Sequence, residues 1–367
     1  MKISDVSVTL FAWEGLKPAS YSFQSVGGTS DLGLVTLRTD DGLEGHAFLG
    51  TAAHPASLDA DGLIRYLKPT VIGQDPLDRE RLYHALWRHV RRTPARTIGA
   101  VDVALWDLAG KIAGPPVHKL LGSYRDKAPA YASSLTMTDP AAYIDDAERI
   151  RDLGWTAYKI HPPRSWKDDI AVCEAVRKAV GDSYMLMLDS TWTYDFTEAV
   201  RVGRAIEEMG YYWFEDPLAE FDIYNYVKLR QKLDIPIMAT EHTPGQLESY
   251  VPWLTERATD YLRGDVAIKG GLTSVIKTAH LAEAFGMRYE IHHGGNSLNN
   301  VANLHALMAI RNSEMFEVIQ PDDAQKYGLV RDIEVDGEGM VHAPVTPGLG
   351  AEIDFALIER KKIAVLQ

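Results

Sequence analysis

Met185-Leu186-Met187-Leu188-Asp189, Tyr211-Tyr212-Trp213-Phe214-Glu215 and Ile235-Pro236-Ile237-Met238-Ala239-Thr240-Glu241 are three short apolar runs, each ending in a carboxylate. Asp189 and Glu215 are 26 residues apart, and so are Glu215 and Glu241. Apolar runs of this length, bounded by turn residues, read as buried strands. Helical patterns lie between them, from Thr197 to Met209 and from Ile223 to Leu233. Strand, helix and strand at even spacing predict βαβ units with a parallel sheet. Three acids at the C-terminal ends of successive parallel strands converge on one point, where they repel unless a cation sits among them. Oxygen-only ligands favour a hard cation, Mg²⁺ first, one per site. One acid after a strand is explained as a helix cap or a solvated end; three at equal spacing are better explained as metal ligands.

Outward from this stretch the alternation continues. Eight strands are predicted: Ala128–Ser133, Thr156–His161, Met185–Asp189, Tyr211–Glu215, Ile235–Glu241, Asp260–Asp265, Met287–His292 and Met315–Gln320. Helical stretches separate them, as at Trp166–Val180, Gln246–Ala258, Thr273–Phe285 and Asn299–Arg311. That is the count of a (β/α)₈ TIM barrel, here with its closing helix weak or missing. The first 125 residues read as an α+β domain. A strand covers residues 3–12 and a loop runs from Gly15 to Gly28. Two further strands flank the Asp40-Asp41-Gly42 turn, and helices follow, the last from Arg96 to Ile112. The fold class is therefore α/β, with capping domain 1–125, barrel 126–328, and a segment 329–367 that carries strand-like Ile333-Glu334-Val335 and returns to the first domain.

Composition narrows the function. The 367 residues carry a formal net charge of -13, which argues against nucleic acid and against an anionic membrane surface. No apolar run approaches the ~18 residues of a helical membrane span. Cys173 is the only cysteine, so neither an intramolecular disulfide nor a multi-thiolate metal site exists. Its apolar helical surroundings suggest a packing role. No signal-peptide pattern opens the chain, and a reducing cytoplasm is expected. The expected partners are a small-molecule substrate and further copies of the chain in a homo-oligomer.

Side chains alternate along strands, so parity nominates those that face the barrel interior. Arg288, Glu290 and His292 share one parity, and the more apolar Met287, Tyr289 and Ile291 share the other with His293. Lys159 and His161 share a parity, Asp265 follows Arg263, and Glu317 lies two residues past Met315. Active sites of such barrels sit at the C-terminal ends of the strands. The ring there is Lys159, His161, Asp189, Glu215, Glu241, Asp265, His292 and Glu317. A substrate carboxylate on the metal would place its α-carbon between two bases, Lys159 and His292. The metal stabilises the enediolate, and a base removes the α-proton, typically contributing about 10²–10⁴-fold. Lys159 would need a lowered pKa, and Asp265 would fix the tautomer of His292.

These residues resemble those of the enolase superfamily, specifically the mandelate racemase subgroup of sugar-acid dehydratases and racemases. The resemblance spans nearly the whole chain. Asp40-Asp41-Gly42-Leu43-Glu44-Gly45 and Ala100-Val101-Asp102-Val103-Ala104-Leu105-Trp106-Asp107-Leu108-Ala109-Gly110-Lys111 are similar to its capping domain. The resemblance implies that Asp189, Glu215 and Glu241 bind Mg²⁺ and that Asp265 and His292 form a His–Asp dyad. It also implies that Glu317 donates a hydrogen bond to the substrate carboxylate. The family's Lys-x-Lys motif is here Lys159-Ile160-His161, so His161 occupies the proton-transfer position. Either His161 does that work, or His292 is the only base and His161 binds substrate. Tyr21, Gln24, His46, His293 and Asn296, with His161, suit a polyhydroxy acid. The expected activity is an aldonate or aldarate dehydratase giving a 2-keto-3-deoxy acid. The alternative is a racemase, an epimerase or a sugar-lactone cycloisomerase acting through the same enolate. The loop from Gly15 to Gly28, with Tyr21 and Gln24, is expected to cover the site and select the substrate.

Overall fold

The computed structural model describes residues 1–21, 24–243 and 246–367, without the side chains at 18, 19, 21 and 24–26. The chain opens with strands β1 (Ile3–Tyr21), β2 (Gln24–Thr39) and β3 (Glu44–Leu49), antiparallel in sequence order. The C-terminal strand Lys362–Leu366 pairs antiparallel with β1, so the end of the chain completes this first sheet. Gly42, at φ +89°, makes the turn between β2 and β3, where its N–H donates to the Thr39 carbonyl at 3.1 Å. Helix α1 (Ala95–Ala113) lies against β3. It comes so close that a side chain on Gly45 would meet the Ala104 carbonyl at 2.3 Å.

The predicted loop from Gly15 to Gly28 is instead the far half of a hairpin. Leu16 pairs with Gly28, Ala19 with Val26 and Tyr21 with Gln24. Gly15 and Gly28, at φ +75° and +79°, lie beside register shifts, so these glycines form bulges and do not end the strands. The hairpin reaches the barrel, where the Thr136 N–H donates to the Ser20 carbonyl at 3.1 Å.

Eight parallel strands follow: β4 (Lys127–Ser133), β5 (Ala157–Ile160), β6 (Met185–Asp189), β7 (Phe214–Glu215), β8 (Ile237–Ala239), β9 (Tyr261–Gly264), β10 (Arg288–Ile291) and β11 (Phe316–Ile319). Their hydrogen-bonded order is β10-β9-β8-β7-β6-β5-β4-β11, a mostly parallel, nearly closed barrel. Side chains bridge β10 to β11. Ser313 Oγ accepts from the Ile291 N–H, and Glu290 accepts from the Glu314 N–H. Helices α2 (Pro140–Asp152), α3 (Trp166–Val180), α4 (Phe196–Glu208), α5 (Ile223–Arg230), α6 (Val251–Thr255), α7 (Leu272–Ala284) and α8 (Ser297–Ala309) cover the outside. The Asp195–Glu198 capping box shows why α4 starts where it does. After β11, among the described residues, only the 3₁₀ turn Asp322–Ala324 stands where the last barrel helix is expected.

Ile333-Glu334-Val335 is not a strand. Side chains take its backbone groups: the Ile333 N–H donates to Asp332 and the Ile333 carbonyl accepts from Lys326. No helix among the described residues is long and apolar enough to cross a membrane.

The alternation along the strands sorts the core. Tyr131, Ala157, Met187, Trp213, Met238 and Met315 form a separate cluster inside the barrel. Tyr158, Leu188, Phe214, Leu262, Tyr289 and Phe316, of the opposite parity, join the main core under the helices. Two residues beyond the inner plug, toward the C-terminal ends, stand Lys159, Asp189, Glu215 and Glu317.

Candidate active site

Each ligand strand turns sharply where its acid stands. Thr191 and Trp192 follow Asp189 at φ +48° and +63°, and Asp216 follows Glu215 at φ +44°. Thr240, just before Glu241, has φ +86°. For a β-branched residue this backbone region is strained and persists only when its surroundings hold it. Thr240 Oγ1 donates to the Arg263 carbonyl at 3.1 Å and accepts from the Arg263 N–H at 2.9 Å. The turn is needed because Glu241 has the parity of Ile237 and Ala239, which face the helices. Without it Glu241 would point away from Asp189 and Glu215. With it, the three acids bring one carboxylate oxygen each within 4.8 Å of one another.

Below them lies a dense ion cluster. Lys159 Nζ stands 3.1 Å from Asp189, 3.0 Å from Glu215 and 2.8 Å from Glu317. Arg263 Nε is 2.6 Å from Glu215, and its Nη2 reaches Glu317 and the Tyr131 hydroxyl. Asp189, Glu215, Glu241 and Glu317 are four carboxylates against the two cations Lys159 and Arg263. The carboxylates outnumber these two cations, an excess of acidic groups that a divalent cation would offset. Hard oxygen donors, convergence and charge all fit a magnesium ion held by Asp189, Glu215 and Glu241.

Burial and the Arg263 charge pull the Lys159 pKa down, but Glu215 and Glu317 outweigh them and hold it well above the ordinary value. Its three N–H donors face three carboxylates, which makes Lys159 an ion-pair hub beneath the triad. Burial raises Glu215 to about 7 against the pull of Arg263. Burial would raise Glu317 too, but Arg263 and Lys159 hold it well below the carboxylate range. Glu317 also accepts the His293 N–H at 3.1 Å.

Two imidazoles flank the triad. The His292 and Asp265 side chains meet at 2.8 Å, Nδ1 to Oδ2, and His292 Nε2 lies 3.4 Å from Glu241. Asp265 Oδ1 accepts the N–H groups of Ala267 and Ile268 at 2.6 and 3.0 Å. Asn303 donates to the His292 carbonyl. His161 Nδ1 lies 2.6 Å from the Ser134 carbonyl, which makes Nδ1 the donor and turns Nε2 to Asp189 at 3.0 Å. His161, Asp189, Glu241, Asp265, His292 and His293 line one cavity of about 600 Å³, a size usual for small-molecule sites. Its other wall comes from the first domain: Thr51, Ala52, Ala53 and His54 after β3, and Ala95 and Arg96 at the start of α1.

Comparison with known proteins names this arrangement. Residues 4–122 match the mandelate racemase/muconate lactonizing enzyme N-terminal domain, and residues 142–357 match the enolase C-terminal domain-like family. The chain belongs to the mandelate racemase subgroup of the enolase superfamily. It is 28% identical to arabinonate dehydratase of Saccharolobus solfataricus, covering 81% of this chain and 82% of that one. It is 30% identical to D-galactarolactone cycloisomerase of Agrobacterium fabrum, with 88% of each chain covered. The solved structure of D-glucarate dehydratase from Agrobacterium tumefaciens, complexed with magnesium, superposes with a TM-score of 0.91 at 34% identity. That match covers 99% of this chain and 100% of the other. This enolase-superfamily enzyme thus shares its architecture with acid-sugar dehydratases and cycloisomerases.

Not every predicted residue reaches the cavity of this superfamily member. His293 does, with Nδ1 2.9 Å from Gln325 Nε2; burial and His292 keep it neutral, its pKa well below the ordinary value. Asn296 does not. Its amide oxygen caps α8 through the Asn299 N–H, and its nitrogen donates to the Gly50 carbonyl, tying the capping loop to the barrel. His46 does not either, because β3 turns it toward α1 and the C-terminal segment, beside Asp107 and Phe355. The Tyr21 and Gln24 side chains lie outside the described residues. Sequence reasoning missed Arg263, although its parity with Asp265 pointed inward. It also missed Arg96 and His54, which no local pattern singles out.

Proposed function

We propose that this enzyme is a Mg²⁺-dependent acid-sugar lyase. It removes the α-proton of a polyhydroxy carboxylate and eliminates the β-hydroxyl, giving a 2-keto-3-deoxy acid. One observation carries the reading: an Asp265–His292 dyad and His161 stand on either side of a three-carboxylate cation site. Asp189, Glu215 and Glu241 would hold the cation, which supplies positive charge where the substrate carboxylate gains electron density.

Asp265 keeps the proton of His292 on Nδ1, so Nε2 is the atom that accepts the α-proton. Lys159 and Arg263 hold the carboxylates in place from below. His161, carrying a proton on Nε2 as well as on Nδ1 when the step begins, delivers the Nε2 proton to the departing β-hydroxyl, which leaves as water; the enol then takes a proton from solvent on carbon and becomes the ketone. The dehydratases among the relatives support this reading. Two imidazoles on opposite sides, and the likeness to a cycloisomerase, favour as second reading an isomerisation in which His161 returns a proton to carbon.

The test is a panel of aldonates and aldarates incubated in D₂O with Mg²⁺ or with EDTA. Dehydration yields a semicarbazide-reactive keto acid. Isomerisation yields deuterated isomers without one, and would replace the lyase reading. Loss of turnover in folded Glu241→Gln protein is expected. Full turnover in EDTA would refute the cation site.

A further inference from the structure

On the capping-domain wall, Arg96 makes a two-point ion pair with Asp59. Nε donates to Oδ2, and Nη2 donates to Oδ1 at 3.1 Å. His54 Nε2 braces the same carboxylate at 3.0 Å, and Asp59 itself is buried. A guanidinium has five N–H donors, and this pairing uses the Nε side of the fork. The remaining N–H groups, along the Nη1–Nη2 edge, have no partner among the described residues. Arg96 and His54 both line the cavity whose floor holds the Asp189–Glu215–Glu241 site.

We infer that Arg96 is the anchor for a second carboxylate, at the far end of the substrate, so that the enzyme takes diacids in preference to monoacids. This rests on the lyase reading for what happens at the near carboxylate. An Nη1–Nη2 edge matches the two oxygens of a carboxylate, whereas a sugar hydroxyl can use only one of its donors. Asp59 and His54 are positioning residues that hold the fork before substrate arrives. The positive end of α1 adds to the attraction, since Ala95 and Arg96 are its first residues and no side chain caps it. The wall is seated firmly on the barrel. A side chain on Gly99, one turn past Arg96, would meet the Val266 carbonyl at 2.4 Å, and Asn296 holds the Gly50 carbonyl. The distance between the two carboxylate sites is thereby built into the fold, which selects chain length as well as charge.

The experiment is calorimetric titration of the Mg²⁺-loaded protein with adipate, a six-carbon diacid without hydroxyls, and with hexanoate. Wild type is expected to bind adipate about 10–100-fold more tightly, the usual worth of one charged hydrogen-bonded contact. In Arg96→Gln that ratio should fall to near one. Arg96→Lys keeps the charge and the Asp59 pair but loses the fork, and should give an intermediate ratio; it also serves if Arg96→Gln does not fold. A wild-type ratio near one, or variants that weaken both ligands equally, would overturn the inference and leave the lyase reading standing. An Arg96-dependent adipate preference without turnover of any acid sugar would keep the diacid site and remove the lyase reading.

Discussion

Replacing Asp265 with asparagine tests the dyad with almost no change of shape. Two backbone N–H groups, of Ala267 and Ile268, point at Oδ1. The new side-chain amide in Asp265→Asn must therefore keep its oxygen there, because the flipped rotamer would set an NH₂ against two N–H donors and leave both unpaired. Each lost bond costs about 1–3 kcal/mol. The amide nitrogen is thus forced to the Oδ2 position, 2.8 Å from His292 Nδ1. A donor there makes Nδ1 the acceptor and moves the imidazole proton to Nε2. The base then has no lone pair toward the α-carbon. General-base catalysis is worth about 10²–10⁴-fold, so kcat should fall by that factor, or about 2.7–5.5 kcal/mol of barrier. KM should move far less, since no ligand to the cation or substrate carboxylate is touched. The assay is NMR of α-proton exchange in D₂O, together with keto-acid release, on whichever acid sugar the panel identifies. If the Asp265→Asn protein turned over within about fivefold of wild type, His292 would not be the base and the tautomer argument would be wrong.

Arg263→Met leaves the Glu215 and Glu317 carboxylates buried with Lys159 as their shared partner. Unpaired buried charge costs about 3–5 kcal/mol, so urea unfolding in EDTA should show a loss near the lower figure, partly restored by adding Glu317→Gln. His305 should make stability pH-dependent, because burial and its neighbour His118 lower its pKa to about 4. Between pH 6.5 and 4 the unfolded chain binds the proton more readily. The stability is therefore present above 6.5 and declines as pH falls, by about 3 kcal/mol in all. His305→Gln, which can still donate to the Leu349 carbonyl that His305 Nε2 faces, should flatten that part of the curve; parallel curves would count against it. Cys173 is buried with its thiol pushed up to about 12, so a thiol reagent at pH 8 should label the denatured protein and not the native one.

Much of the barrel is legible in the chain because strand burial is a local pattern. Tyr158 and Ile160 against Lys159 and His161, or Tyr289 and Ile291 against Glu290 and His292, can be sorted inside from outside by alternation alone. The even spacing of Asp189, Glu215 and Glu241 likewise follows from βαβ units of similar length. The Gly15–Gly28 hairpin was less legible, since a glycine in a bulge and a glycine ending a strand look alike in one sequence. Asn296 looked like a substrate contact because a polar loop residue and a helix cap share the same composition.

Sequence by itself thus determined the eight strands and the places of the three acids at strand ends, which rest on spacing, and the His292–Asp265 pairing, which rests on parity. Only the tertiary structure decided that Glu241 turns inward, because that depends on Thr240 being held at positive φ by the Arg263 backbone of the neighbouring strand. It alone decided that Lys159 is a buried ion-pair hub, since a pKa follows from which charges surround it. It also decided that Arg96 faces the cavity with one edge of its fork free, because Asp59 and Arg96 meet only when the capping domain folds.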